Sequence, residues 1–220
     1  MSDLFPGVEP PVVDYGKLQQ AIEAELDAGG FQRVPSIIRK SIQCYESKLT
    51  RHGNMLVGAS LGGKTTAWTV LARAMTRLSK EGVDDFQQVK PIVINPKAVP
   101  SANLYGEYDL QTFEWTDGVL AKVMREVCSD EAPSEKWLLL DGPVDTLWIE
   151  SMNTVLDDNK LLTLINGERI AMPPQVSLLF EVEDLSVASP VSWPRTLHSK
   201  ADLKWCMLAV LTRRSPRYSC

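Results

Sequence analysis

The chain predicts an α/β fold built on a doubly wound parallel sheet, and three observations carry that reading. Short apolar runs alternate with stretches of helical periodicity along the 220 residues, as in strands joined by crossover helices. One run, Lys136-Trp137-Leu138-Leu139-Leu140, is apolar almost throughout, as a parallel strand covered on both faces must be. Residues 58–65, Gly-Ala-Ser-Leu-Gly-Gly-Lys-Thr, match the spacing G-x-x-x-x-G-K-[ST] between the apolar run Met55-Leu56-Val57 and a helical pattern.

Taken in order, residues 4–13 hold three prolines and a glycine, which predicts an extended lead-in segment. Asp14 is placed to cap a helix whose apolar positions Leu18, Ile22 and Leu26 recur every four residues until Gly29-Gly30. A second helix carries the stripe Ile38, Ile42, Tyr45 and Leu49 and breaks at Arg51-His52-Gly53. The first strand leads into the glycine-rich loop. Beyond it, Ala67, Val70, Leu71, Ala74, Met75 and Leu78 mark one face of a helix that Gly82 closes.

Pro91-Ile92-Val93-Ile94-Asn95 reads as a second strand ended by Pro96, and a helix starting near Thr116 or Asp117 carries Val119, Leu120, Val123, Met124 and Val127. The strand 136–140 ends in Asp141. Trp148, Ile149, Met152, Val155 and Leu156 form another helical stripe, followed by Asp157-Asp158-Asn159. Residues 161–165 and 168–172 flank Asn166-Gly167, a dipeptide that favours a type I′ hairpin turn. Val176–Val182 is a further apolar strand. The resulting organisation is a lead-in segment and first helix over residues 1–35, a core over 36–190, and a divergent, poorly ordered tail over 191–220.

Composition narrows the function classes. Lys and Arg total 23 against 28 Asp and Glu, and this net charge of −5 gives no reason to expect a nucleic-acid or membrane surface as partner. No apolar stretch approaches the roughly 18–20 residues of a membrane span, and the first residues lack the pattern of a signal peptide, so an intracellular location is expected. Cys44, Cys128, Cys206 and Cys220 lie far apart without C-x-x-C spacing and read as reduced thiols. With His52 and His198 as the two histidines, a His-based metal or triad site is not indicated.

The chemistry concentrates at the loop. A glycine-rich turn at a helix N-terminus aims several backbone N–H groups at one anion, and the helix dipole adds partial positive charge. Gly58, Ala59, Ser60, Leu61, Gly62, Gly63, Lys64, Thr65 and Thr66 are therefore the candidate nucleotide-binding residues. Lys64 would reach the β- and γ-phosphates and Thr65 would hold Mg²⁺. An apolar strand ending in an acid supplies the other half of such a site, which makes Asp141 the second candidate Mg²⁺ ligand. ATP and Mg²⁺ are the expected cofactors of what reads as a P-loop NTPase.

Several segments resemble one family. Leu4-Phe5-Pro6-Gly7, Arg51-His52-Gly53, Ile94-Asn95-Pro96-Lys97-Ala98, Glu114-Trp115-Thr116-Asp117-Gly118, the run Trp148 to Lys160, and Phe180-Glu181-Val182-Glu183-Asp184-Leu185 are similar to the second AAA+ module of axonemal dynein heavy chains, over residues 3 to about 190. The resemblance implies an AAA+ large subdomain with N-terminal helices and an inserted β-hairpin, the hairpin touching neighbouring modules. It implies neighbouring AAA+ modules of a dynein ring as partners, and a dynein complex that moves toward microtubule minus ends. The location implied is the cytoplasm and cytoskeleton, in the ciliary or flagellar axoneme.

Two departures qualify it. Asp141 is followed by Gly142 where a hydrolytic module places a Glu to orient and deprotonate water, so ATP is expected in a structural or regulatory role with weak or no hydrolysis. No catalytic residue is assigned, and Glu181 is a candidate sensor. After Pro190 the chain runs Val191-Ser192-Trp193-Pro194-Arg195-Thr196-Leu197-His198 where the family has Ala-Thr-Val-Ser-Arg-Cys-Gly-Met-Val. Arg195 stays in register as a candidate inter-module contact while its surroundings change. That pattern is that of a local change of reading frame, an alternative splice or an imperfect gene model, and it leaves the fifth strand and helical lid unaccounted for. A truncated remnant or interaction module without motor activity is the alternative. An autonomous kinase or hydrolase fits less well, because no acceptor site or base is recognisable.

Overall fold

The computed structural model describes residues 14–143, 146–156 and 159–183. Four strands, β1 (Gly53–Val57), β2 (Val89–Ile94), β5 (Glu135–Asp141) and β8 (Val176–Val182), form a wholly parallel sheet in the order β1-β8-β5-β2. Between them the chain runs through α3 (Lys64–Lys80), α4 (Ser101–Tyr105), β3 (Gly106–Tyr108), β4 (Trp115–Asp117), α5 (Val119–Ser129), α6 (Thr146–Ile149), a 3₁₀ turn (Glu150–Met152), α7 (Asn153–Leu156), β6 (Leu161–Thr163) and β7 (Arg169–Ala171). Ahead of β1 come α1 (Gly16–Ala28) and α2 (Pro35–Thr50). The doubly wound α/β class holds.

Strand alternation divides the core into two layers. On one face Leu56, Trp137, Leu139 and Leu179 pack with Trp68, Leu71, Met75 and Leu78 of α3 and with Leu18, Ile22 and Leu26 of α1. On the other, Val57, Leu138, Leu140, Leu178 and Phe180 meet Leu120 and Met124 of α5 and the segment that carries Trp148, Ile149 and Met152. The two helices ahead of β1 thus share the α3 layer. Among the described residues no helix is long and apolar enough to cross a membrane. Cys44 and Cys128 are free thiols, and burial pushes the first up to about 12 and the second to about 11, so both are protonated at neutral pH.

Four expectations need correction. Of the predicted stripe Ile38-Ile42-Tyr45-Leu49 in α2, Tyr45 is buried, Ile38 and Ile42 are partly buried and Leu49 is 60% exposed, and the fully buried face is Ile37, Ser41, Cys44 and Tyr45. Ser41 tolerates burial because its hydroxyl donates to the Ala67 carbonyl at 3.1 Å, and Lys48 on the same face pairs with Glu135. The first residue of α1 is Gly16, whose N–H donates to Asp14 Oδ1 at 2.8 Å, while Tyr15 occupies the cap position itself. The single helix expected around Trp148 to Leu156 is instead two short α-turns joined by the 3₁₀ turn.

The β6–β7 connection is not a type I′ turn, which would require positive φ at both Asn166 and Gly167. Only Gly167 has it, at 86°. The Leu164 carbonyl accepts from Gly167 N–H at 3.0 Å, and the Leu164 N–H donates to the Glu168 carbonyl at 2.9 Å, giving a type I turn closed by a glycine bulge. Asn166 stays out of the left-handed region, its Oδ1 accepting from Glu168 N–H at 2.9 Å. Leu162, Leu164, Ile170 and Met172 bury the hairpin's inner face, and Ile165 at its tip is exposed. Arg125 joins this hairpin to the β3–β4 pair through Glu168 at 2.8 Å and Asp117 at 2.9 Å, holding both carboxyls below their usual range. The lead-in segment, Asp157-Asp158 and the tail from 191 onward lie outside the described residues.

The register of α2 is testable by truncation. Ile37→Ala should lower the unfolding free energy in urea by about 2–4 kcal/mol. Leu49→Ala should change it by less than about 0.5 kcal/mol.

Candidate functional site

The site is built where β1 ends. Parallel pairing of β1 with β8 runs from Gly53↔Leu178 to Val57↔Val182, and one further bond from Gly58 N–H to the Val182 carbonyl at 3.1 Å carries the ladder into the loop. The chain then turns tightly. Gly62 N–H donates to the Ala59 carbonyl at 3.0 Å, and a Cβ on Gly62 would lie 2.9 Å from that same oxygen, so no side chain fits there. Gly63 has φ 83°, the left-handed conformation that reverses the loop into α3. Leu61 holds φ 64° with a side chain that is almost wholly exposed.

No side chain caps the N-terminus of α3, so the first-turn N–H groups and the positive end of the helix dipole are left to the loop. Lys64 is 7% exposed, and its ammonium donates to the Gly58 carbonyl at 2.7 Å and the Ala59 carbonyl at 3.0 Å. Its charge is thereby held across the inside of the loop. These features fit a phosphate chain, because backbone donors, a dipole and one cation converge on a turn with no room for a side chain at Gly62.

Glu181 takes a central place. Its Oε1 accepts the Thr65 hydroxyl at 2.6 Å and its Oε2 accepts the Trp68 indole N–H at 3.0 Å, while the residue is 8% exposed. Thr65 itself is exposed. Asp141, exposed at the end of β5, is the register partner of Glu181, so β8 and its carboxylate stand between Asp141 and β1. Gly142 follows, its N–H donating to the Glu181 carbonyl at 3.2 Å. Thus the structure brings together Lys64, Thr65 and Glu181, with Asp141 one strand further on. Arg195 lies outside the described residues. Trp68 was not among the candidates read from sequence, although an indole three residues after Thr65, one turn along the same helix, was the available signal.

Residues 53–197 match the family described as AAA domain (dynein-related subfamily). The chain belongs to that dynein-related AAA family. A second match, to the family described as hydrolytic ATP binding site of dynein motor region, covers residues 1–65. It stops at Thr65, ahead of β5 and Gly142.

The dynein-related domain is also similar to dynein axonemal heavy chain 2 of Homo sapiens, at 54% identity over 208 residues that make up 93% of this chain and 5% of that one. It is 59% identical to the dynein-1-beta heavy chain, flagellar inner arm I1 complex, of Chlamydomonas reinhardtii over 197 residues, 89% of this chain and 4% of the other. With dynein axonemal heavy chain 6 of Homo sapiens it shares 48% identity over 210 residues, 93% of this chain and 5% of that one. The chain therefore spans about 5% of the length of the curated relatives it matches.

The loop conformation makes opposite predictions at two neighbouring positions. Gly63→Ala should destabilise the protein by about 1–2 kcal/mol, because alanine is strained at that φ. Leu61→Gly should stabilise it by up to about 1 kcal/mol, because the side chain contributes little burial and its strain is relieved. Thermal melting of the two variants against the parent checks both signs.

Proposed function

We propose that the chain is the ATP-binding core of the second AAA+ module of an axonemal dynein heavy chain, holding Mg-ATP in a structural or regulatory role with weak or no hydrolysis of its own. The observation that carries this is the loop itself: a buried Lys64 ammonium spanning the turn Gly58–Gly63 beside the uncapped end of α3. Gly58 to Thr66 would hold the phosphates, and Thr65 with Asp141 would hold Mg²⁺, which neutralises phosphate charge when bound.

Weak hydrolysis is supported by Gly142. General-base catalysis contributes typically about 10²–10⁴-fold, and glycine has no group to supply it. The position is also crowded, since a Cβ on Gly142 would lie 3.2 Å from both Asn95 Oδ1 and Pro96 Cδ. The Glu181 carboxylate is held against Thr65 and Trp68, each of its oxygens accepting one hydrogen bond.

The wider setting rests on the relatives, which are named as axonemal and flagellar heavy chains. In that setting the domain sits in the ciliary or flagellar axoneme and contacts neighbouring AAA+ modules of the ring. The exposed Ile165 at the β6–β7 tip and Arg195 are its candidate contacts. Movement along microtubules belongs to the complete heavy chain. The sequence change after Pro190 favours a second reading, a non-motor remnant that keeps the fold without recruiting ring partners.

Lys64→Ala should abolish binding of a fluorescent ATP analogue, and parental affinity in that variant would contradict the assignment. Because a ligand that binds only the folded form raises the melting temperature, Mg-ATP should raise it for the parent and leave it unmoved for Lys64→Ala. A flat response in the parent favours the remnant.

A further inference from the structure

Deepening the nucleotide-binding reading above, and resting on it, we infer that Glu181 positions the Thr65 hydroxyl for a divalent cation, with Trp68 as the clamp that fixes Glu181. A hydroxyl can ligate a cation only through a lone pair, so its proton must be directed to an acceptor elsewhere. Here that acceptor is Glu181 Oε1, 2.6 Å away. The proton's direction is thereby set, and the lone pairs of an exposed Thr65 are turned to the other side.

The carboxylate cannot swing away. Its second oxygen accepts the Trp68 indole N–H at 3.0 Å, and Trp68 is 7% exposed in the layer that contains Leu56, Leu71 and Leu179. A rigid indole fixed by core packing thus orients a carboxylate, which orients a hydroxyl. All three groups stand on the two elements that meet at the loop: Thr65 and Trp68 on α3, Glu181 on β8. The negative charge of Glu181 lies next to the hydroxyl, so it favours a divalent cation there more than a neutral side chain would.

Glu181 is on this account a positioning residue, separate from Asp141. Asp141 is exposed on the neighbouring strand in register with it, and remains the candidate to meet the cation directly. The division of labour follows from strand order. β8 lies between β1 and β5, so the carboxylate nearest the loop is the one on β8.

The test is cation-dependent nucleotide binding by the full chain, using a fluorescent ATP analogue in EDTA and through a Mg²⁺ titration, with Mn²⁺ uptake followed by loss of the free-ion EPR signal. In Glu181→Ala the cation affinity of the nucleotide complex should fall by about 10–100-fold, while nucleotide affinity in EDTA stays within about twofold of the parent. Trp68→Phe keeps the ring and removes the N–H, so it should show a smaller fall in the same direction and serves if Glu181→Ala does not fold. Unchanged cation affinity in the variants overturns the inference alone, as does a loss of nucleotide binding that is equal in EDTA and in Mg²⁺. A parent chain that binds no nucleotide overturns the function on which the inference rests, and the inference with it.

Discussion

The parallel pairing of β1 with β8 is the constraint on which the rest depends. It fixes Leu56 opposite Glu181 and Val57 opposite Val182, and its last bond reaches Gly58, the first residue of the phosphate loop. Side chains alternate along a strand, so a slip of one residue would turn Glu181 from the α3 face to the α5 face and bring Val182 to Thr65. The hydroxyl would lose its acceptor and the Trp68 indole its partner. The apolar alternation of Leu178, Leu179, Phe180 and Val182 between the two core layers makes that slip costly, because it would expose each layer to the wrong neighbour.

A stable sheet therefore serves a polar site at its edge. The loop turns on two glycines because the Ala59 carbonyl leaves no room at 62 and the chain needs a left-handed residue at 63. The Lys64 charge is satisfied by loop carbonyls, and the Glu181 charge by a hydroxyl and an indole. Buried charges are tolerated only with such partners, since an unpaired one costs several kcal/mol. The same arrangement explains why a binding site need not be a hydrolytic one. Every group that shapes the loop is in place, and the position after Asp141 holds a glycine in a tight corner.

Much of this was legible in the sequence, because it rests on local signals. The loop spacing, the apolar strands and the α3 stripe are periodic patterns that few other folds would produce. Residues whose roles depend on tertiary packing were less legible. Along α2 the predicted stripe Ile38, Ile42, Tyr45 and Leu49 holds at Tyr45, but the fully buried face shifts toward Ser41, with Lys48 beside it, because Ala67 and Glu135 satisfy those polar groups. The three-residue strands β3 and β4 are too short for any period to register. Glu181 was visible as a candidate sensor, but its hold on Thr65 depends on strand order, which no pattern within β8 announces. Trp68 reads as one more core residue until its indole N–H is given a partner.

We propose that this site holds Mg-ATP with weak or no hydrolysis of its own. The most direct measurement is to saturate the full chain with Mg-ATP under single-turnover conditions, remove free nucleotide, and identify what remains bound by chromatography. The expected result is about one equivalent of bound nucleotide, most of it intact ATP, with only slow phosphate release. Recovery of bound ADP with stoichiometric phosphate, or of no nucleotide at all, would contradict it.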